Sequence, residues 1–270
     1  MNSTLIVLKE IFSNIIIAHR LAINDLIVKN KGNLLGFLWL WINPSIQILI
    51  YGIVFGLGLR GSAPVNGINF FHWLIPGFII WDFINGCVTP GSRSIIAKMN
   101  IVTKMKFPVS ITPLVTVLSE LYIHILMIIT IVLILIVTNG STPSIYWMYL
   151  PYYTFCAVCF LLSFAIFNSA ISTVMRDYQH IVYNMMRTLF FITPVLFPED
   201  SMQGTVMKTI FSLNPFSYLL IGYRESLVYH QRSTFLTWEL GVYFWSITLL
   251  FLIIGCSFHV KMRKNLLDYS

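Results

Sequence analysis

No charged residue stands between Lys31 and Arg60, and the apolar run over residues 34–59 exceeds the ~20 residues an α-helix needs to cross a bilayer. Backbone placed in hydrocarbon must satisfy its own polar groups, so such a run folds as a helix. Similar runs recur along the chain. Only 17 Lys+Arg and 10 Asp+Glu serve 270 residues, whereas a soluble domain devotes about a quarter of its residues to charge. With 57% hydrophobic residues and a mean hydropathy of +0.80, folding in water would leave large apolar patches exposed. The composition excludes a water-soluble enzyme, a nucleic-acid-binding domain and a disordered chain. What remains is an all-α integral membrane protein, for which the net charge of +7 decides orientation.

Six transmembrane helices are predicted, at residues 34–59, 70–89, 109–138, 148–175, 178–197 and 240–260, within a single transmembrane domain of residues 1–270. Three charges fall inside them: Asp82, Glu120 and Arg187. Between spans five and six, residues 198–233 contain two apolar pieces flanking Asn214-Pro215, each too short to cross. A re-entrant helical hairpin serving as a gate fits; a surface loop with two amphipathic turns is the alternative. In residues 1–30, Lys9, Glu10, Arg20, Asp25 and Lys29 interrupt every apolar stretch, so a cleavable signal is not expected. Leu5, Leu8, Phe12, Ile15, Ile23 and Leu26 share one helical stripe, which predicts an amphipathic interfacial helix. The same stripe would serve a helix packed on a partner's cytoplasmic domain.

Counting Lys and Arg by side gives the orientation. One face collects Lys9, Arg20, Lys29, Lys31, Arg93, Lys98, Lys104, Lys106, Arg176, Arg187, Lys261, Arg263 and Lys264, against Arg60, Lys208, Arg224 and Arg232 on the other. The positive-inside rule then puts both termini of a multi-pass protein in the cytoplasm. Cys156 and Cys159 form C-x-x-C inside an apolar run and read as one helix face. The six histidines lack metal-ligand spacing, and no Gly-Lys dipeptide exists to build a phosphate-binding loop. No metal site and no nucleic-acid partner is expected, and energy must come from elsewhere. An intramembrane lipid-modifying enzyme is the non-transporter alternative, with Glu199-Asp200 as its outer acidic pair.

Three stretches carry a resemblance. Residues 24–39 closed by Asn43-Pro44, residues 100–108, and Arg176-Asp177 followed by residues 194–198 and Asn214-Pro215 resemble, in order, the permease subunits of type-2 ABC exporters of polysaccharides. Asn24 stands where that family usually has Arg. Residues 186–194 look most like the permeases that export wall teichoic acid across a Gram-positive cytoplasmic membrane; capsule and O-antigen exporters, and drug or lipid exporters, are the alternatives within the class. The resemblance implies a second copy of the chain, two separate ATPase subunits holding ATP and Mg, and a lipid-linked anionic polymer as cargo. It makes residues 98–107 a coupling helix and assigns Asn100, Val102, Lys104, Met105, Phe107, Arg176 and Asp177 to ATPase coupling. Without it, Lys104 and Lys106 read as an ordinary cytoplasmic loop.

A path for a flexible anion with an acyl tail calls for cations and aromatic faces. Arg20, Lys29 and Lys31 can meet phosphates on the cytoplasmic side or simply anchor the helix to membrane lipids. Phe37, Trp41, Tyr51, Phe190 and Phe191 are aromatic candidates, with core or lipid packing as the alternative. At ~1.5 Å rise per residue, Asp82, Glu120 and Arg187 lie near one depth. An isolated charge there costs at least about 2.5 to 3.5 kcal/mol, so Arg187 is expected to pair with Glu120 or Asp82, with contact to passing phosphates as the alternative.

Overall fold

The computed structural model describes residues 3–32, 34–59, 64–99, 108–138, 140, 142–198, 205–230 and 236–268, and these are almost entirely helical. α1 (Ser3–Ser13) and α2 (Ile15–Asn30) lead through a short turn into α3 (Trp39–Tyr51), which continues as a wider π-type coil over Gly52–Leu59. α4 (Phe70–Ser92), the four-residue α5 (Ser94–Ala97), α6 (Ile111–Val137), α7 (Tyr149–Val174), α8 (Tyr178–Ile192), α9 (Thr205–Leu213), α10 (Pro215–Arg224) and α11 (Trp238–Asp268) follow.

Five helices are long and apolar enough to cross a membrane: Gly36–Phe55, Phe70–Ser92, Ile111–Val137, Ile145–Val174 and Trp238–Arg263. They correspond to five of the six predicted spans. The remaining one, expected over residues 178–197, is α8, whose 15 residues reach only ~22 Å. It stops because Pro194 disfavours helical backbone at Thr193, and the chain turns there instead.

α4 is the hub. It packs against α6, α7, α8 and α10, and its buried side chains run from Phe70 to Ser92. Asn69 starts it by accepting the Phe71 N–H at 2.9 Å. On the far side of α7 lies α11, the most extensive helix pair in the molecule.

Between α8 and α11 the described residues include two short helices, α9 and α10, that meet at Asn214. Every residue of α10 from Phe216 to Arg224 is buried, which no surface loop would achieve. Asn214 caps α10 by accepting the Phe216 N–H at 3.0 Å, Pro215 occupies its first turn, and Asn214 Nδ2 donates to Thr193 Oγ1 at 2.8 Å. The Asn-Pro pair thus starts one helix while tying it to the end of another.

The N-terminal region departs from a single helix. α1 and α2 meet at 67°, with Asn14 Nδ2 donating to the Glu10 carbonyl at 2.8 Å and so competing with the helical ladder. The face buried against the rest of the chain is Val7, Ile11, Ala18, Ala22 and Leu26; of the predicted stripe, Leu5, Phe12, Ile15 and Ile23 point outward and Leu26 is buried. Alanines permit close approach, and Ser119 Oγ of α6 donates to the Ala22 carbonyl at 3.2 Å. The large side chains remain on the surface that an interfacial helix presents to lipid.

Candidate functional site

Three stripes of residues open a groove beside α4. On α3, Asn43, Gln47 and Tyr51 recur every fourth residue; on α4, Phe78, Asp82, Asn85 and Thr89 share a face; on α8, Tyr183, Arg187 and Phe190 do the same. The groove consists of a cavity of about 600 Å³ reaching Lys29, Trp39 and Glu120, and one of about 460 Å³ reaching Tyr51, Trp81, Arg187, Phe190 and Phe191. Gln47, Asp82 and Asn85 line both, so the two adjoin along these residues.

Glu120 is seated on Gly86: a Cβ at that position would lie 2.8 Å from Glu120 Oε2, so glycine is what lets the carboxylate approach α4. Lys29 Nζ reaches Glu120 Oε1 at 3.4 Å, with 62% of the lysine side chain exposed against 17% of the glutamate. Such a half-open pair contributes at most about 1 kcal/mol. α2 is fastened beside it by Lys98 Nζ donating to Asp25 Oδ2 and by the contact of His19 Nδ1 with the Tyr122 hydroxyl. Lys29 therefore stands over the groove on a helix held by other bonds.

The expected pairing of Arg187 with Glu120 does not form. Glu120 takes Lys29, and Arg187 is exposed on the groove wall, its guanidinium carbon 5.7 Å from the centre of the Tyr183 ring. Among the described residues Arg187 makes no ion pair. The reason is lateral position, which depth arithmetic ignores: Arg187 shares its cavity with Asp82, while Glu120 lies in the other cavity beside α2.

Four expected path residues, Tyr51, Arg187, Phe190 and Phe191, thus come together, with Lys29 at the other end of the groove. Tyr51 and Phe190 have ring centroids 5.6 Å apart, and Phe190 is also 5.6 Å from Trp81. Phe37, Trp41, Arg20 and Lys31 are exposed and line neither cavity. Arg176 and Asp177 are exposed in the turn between α7 and α8. Asn100, Val102, Lys104, Met105 and Phe107 lie outside the described residues, as does the Glu199-Asp200 pair.

One residue escaped sequence reasoning. Arg224, counted there among the cations of the non-cytoplasmic face, is fully buried: its Nη1 and Nη2 donate to the carbonyls of Pro194 and Val195 at 2.6 and 2.8 Å, and its guanidinium lies 3.6 Å over the Trp73 ring. Gly77 makes room for it, since a Cβ there would sit 2.6 Å from Nη2. Arg224 closes α10, whose apolar run opened by Asn214-Pro215 is visible in the sequence, but nothing local marks this arginine as buried.

The groove offers aromatic faces, amides and balanced charge, and is open along one side of the chain. Residues 21–228 match the ABC-2 type transporter family, which covers the whole groove from Lys29 to Phe191. The chain belongs to this family. It is a multi-pass membrane permease of ABC-2 type, and its similar relatives are exporters by name. The O-antigen export system permease protein RfbA of Myxococcus xanthus is 29% identical over 209 residues, covering 77% of this chain and 78% of the relative. A protein of the same name from Klebsiella pneumoniae is 30% identical over 202 residues, covering 74% and 76%. A second Klebsiella pneumoniae relative is 29% identical over the same length. Among the described residues no group of three or more His, Cys, Asp or Glu could hold a metal ion.

Proposed function

We propose that this permease exports a polysaccharide as a lipid-linked glycan, passing it along the groove beside α4 in an assembly of two copies of the chain and two ATPase subunits that bind ATP and Mg. The observation that carries this reading is the groove itself. Ring faces stack on the C–H faces of sugars without fixing them in one place, and Asn43, Gln47 and Asn85 exchange hydrogen bonds with hydroxyls. The open side of the groove is where a second copy would complete the channel. Residues 98–107 with Arg176 and Asp177 would face the ATPases, and both termini would be cytoplasmic.

The cargo we favour is an O-antigen type of glycan, in line with the names of the relatives. Wall teichoic acid, suggested by residues 186–194, is a polyanion, and the groove does not carry a net positive charge to receive one. Lys29 and Arg187 are offset by Asp82 and Glu120. Depletion of the permease followed by assay of surface polymer tests the reading. The expected result is loss of surface glycan with lipid-linked glycan accumulating inside; unchanged surface glycan overturns it, and loss confined to a phosphate-rich polymer replaces the cargo by teichoic acid.

A further inference from the structure

His124 of α6 is buried. Its ring lies flat on Phe83 of α4, with centroids 4.3 Å apart and planes 14° from parallel, and its Nε2 is 2.7 Å from the Tyr223 hydroxyl of α10. That hydroxyl is also 2.7 Å from Thr154 Oγ1 of α7. Thr154 has a single hydroxyl proton, which it donates to the Leu150 carbonyl at 2.9 Å. The Tyr223 proton therefore goes to Thr154, and Tyr223 is left to accept from His124. A neutral imidazole has one N–H and one bare nitrogen, so this network puts the proton on Nε2 and makes Nδ1 an acceptor. Nδ1 is buried and has no hydrogen-bond partner among the described residues, a condition that is costly for an acceptor removed from water.

The same ring borders a small cavity of about 10 Å³, on the scale of the ~10–15 Å³ that one water needs. Among its described lining residues the polar side chains are His124, Asp82 and Glu120, and Ile48, Ile79 and Met127 belong to its apolar wall. Asp82 and Glu120 also line the groove, so the cavity adjoins it and groove water is at hand. With Nε2 committed to Tyr223 and one ring face covered by Phe83, this cavity is where Nδ1 can meet a donor. A bare nitrogen and two carboxylates all accept hydrogen bonds, so the guest has to donate. An apolar guest would serve none of them, and among the described residues no three such groups gather closely enough for a metal ion. Water fits the volume and brings two O–H donors.

We propose that this cavity is a binding site for one water molecule, which donates to His124 Nδ1 and to a carboxylate oxygen of Asp82 or Glu120 and so joins the acidic wall of the groove to α10. From the water onward each donor points the same way, through His124, Tyr223 and Thr154 to the Leu150 carbonyl. A carbonyl has no proton to hand on, so the chain fastens α6, α7 and α10 together without conducting protons. The site depends on the packing of these helices and not on the cargo of the groove, so it stands or falls separately from the reading of the glycan path.

The test uses the complete transporter, permease with its ATPase, in lipid nanodiscs. A cryo-electron microscopy map that resolves ordered water should show a single peak ~2.7–3.2 Å from His124 Nδ1 and equally close to an oxygen of Asp82 or Glu120. A cavity without that peak, or a carboxyl group in direct contact with Nδ1, overturns the proposal. Nitrogen NMR of the same assembly carrying isotope-labelled histidine reads the protons, and the His124 signals are those lost in His124→Gln. The expected result is a protonated Nε2 and a bare, hydrogen-bonded Nδ1 that receives magnetisation from water. Thr154→Val removes the acceptor of the Tyr223 proton and nearly preserves side-chain shape, so Tyr223 should turn to donate to Nε2 and the His124 proton should move to Nδ1. A protonated Nδ1 in the parent, or no transfer from water to Nδ1, overturns the proposal. Should His124→Gln fail to fold, Thr154→Val makes the assignment, since His124 is then the histidine whose two nitrogens exchange roles, and histidine signals identical to the parent's overturn the proposal equally.

Discussion

On one flank of α4 the groove leaves Arg187 exposed beside a tyrosine ring; on the other, Arg224 is sealed beneath Trp73 with two carbonyls in its fork. Both arginines sit in helices of similar apolarity, so local sequence does not separate them. What differs is the backbone each one faces. Beyond the end of α8 the chain turns through Pro194 and Val195, whose carbonyls accept from Arg224, and a planar guanidinium is the side chain that can serve two of them at once. Arg187 faces an open groove with no such backbone, and nothing there demands an arginine for folding. Stability is therefore concentrated on the α7–α10 flank and freedom to bind on the α3–α8 flank. The helices repeat the contrast: 72% of the apolar window of α4 is buried, against 17% of the window that includes α3.

Removing Arg224 should have the largest effect in the molecule. Arg224→Ala strands two buried carbonyls and empties the space over Trp73, a loss of about 3–5 kcal/mol by analogy with other buried charged networks. Monodisperse yield in detergent and thermal melting read this directly. Arg224→Lys should rescue little, because an ammonium cannot span both carbonyls as a fork does. Near-normal yield of the alanine variant would erase the distinction between the flanks.

Glycines supporting the packed flank come next. A Cβ at Gly222 would lie 2.4 Å from the Tyr153 ring, and the helix backbone cannot move aside without disturbing Tyr223, which is bonded to His124 at 2.7 Å. Gly222→Ala should cost about 1–3 kcal/mol through overpacking, visible as a lowered melting temperature with α10 still formed. A Gly222→Ala protein as stable as the parent would mean that α10 is more loosely held than its burial implies.

The sequence exposed the helical architecture well, because spans announce themselves by uncharged length, and Asn214-Pro215 announced a helix start. It misplaced what depends on neighbours. The stripe through Leu5, Phe12 and Ile15 stays exposed, as an interfacial stripe requires; what the sequence did not mark is the opposite face, where Ala18 and Ala22 permit close packing. Four of the groove candidates were legible because aromatic and basic residues are conspicuous in spans. The partner of Glu120 was not, because Lys29 lies 91 positions away on a helix read as lying along the membrane surface.

Within the groove, Lys29 and Glu120 should affect transport more than folding. Lys29→Ala is expected to cost at most about 1 kcal/mol, consistent with a lysine 62% exposed, while lowering stimulation of the ATPase by glycan substrate. Glu120→Gln keeps the shape and removes the competitor for Lys29. If Lys29 meets substrate, that variant should retain stimulation that Lys29→Ala loses; equal behaviour of the two would reduce the pair to a fastening of α2.

The smallest effect on stability belongs to Arg187. If its role were a structural ion pair, Arg187→Ala would lower folded yield and Asp82→Asn in the same chain would restore part of it. The groove geometry gives the opposite expectation. Arg187 is exposed, contacts the Tyr183 face at 5.7 Å and shares its cavity with Asp82 without pairing to it, so its removal should change stability by no more than about 0.5 kcal/mol. Export should fall all the same, since the variant leaves Asp82 as the one charge among the described lining residues of the cavity that also holds Tyr51, Phe190 and Phe191. Melting curves beside a surface-glycan assay separate the outcomes. Normal melting with reduced export places Arg187 on the path. Reduced melting rescued by Asp82→Asn would make the open flank structural after all and remove the contrast with Arg224.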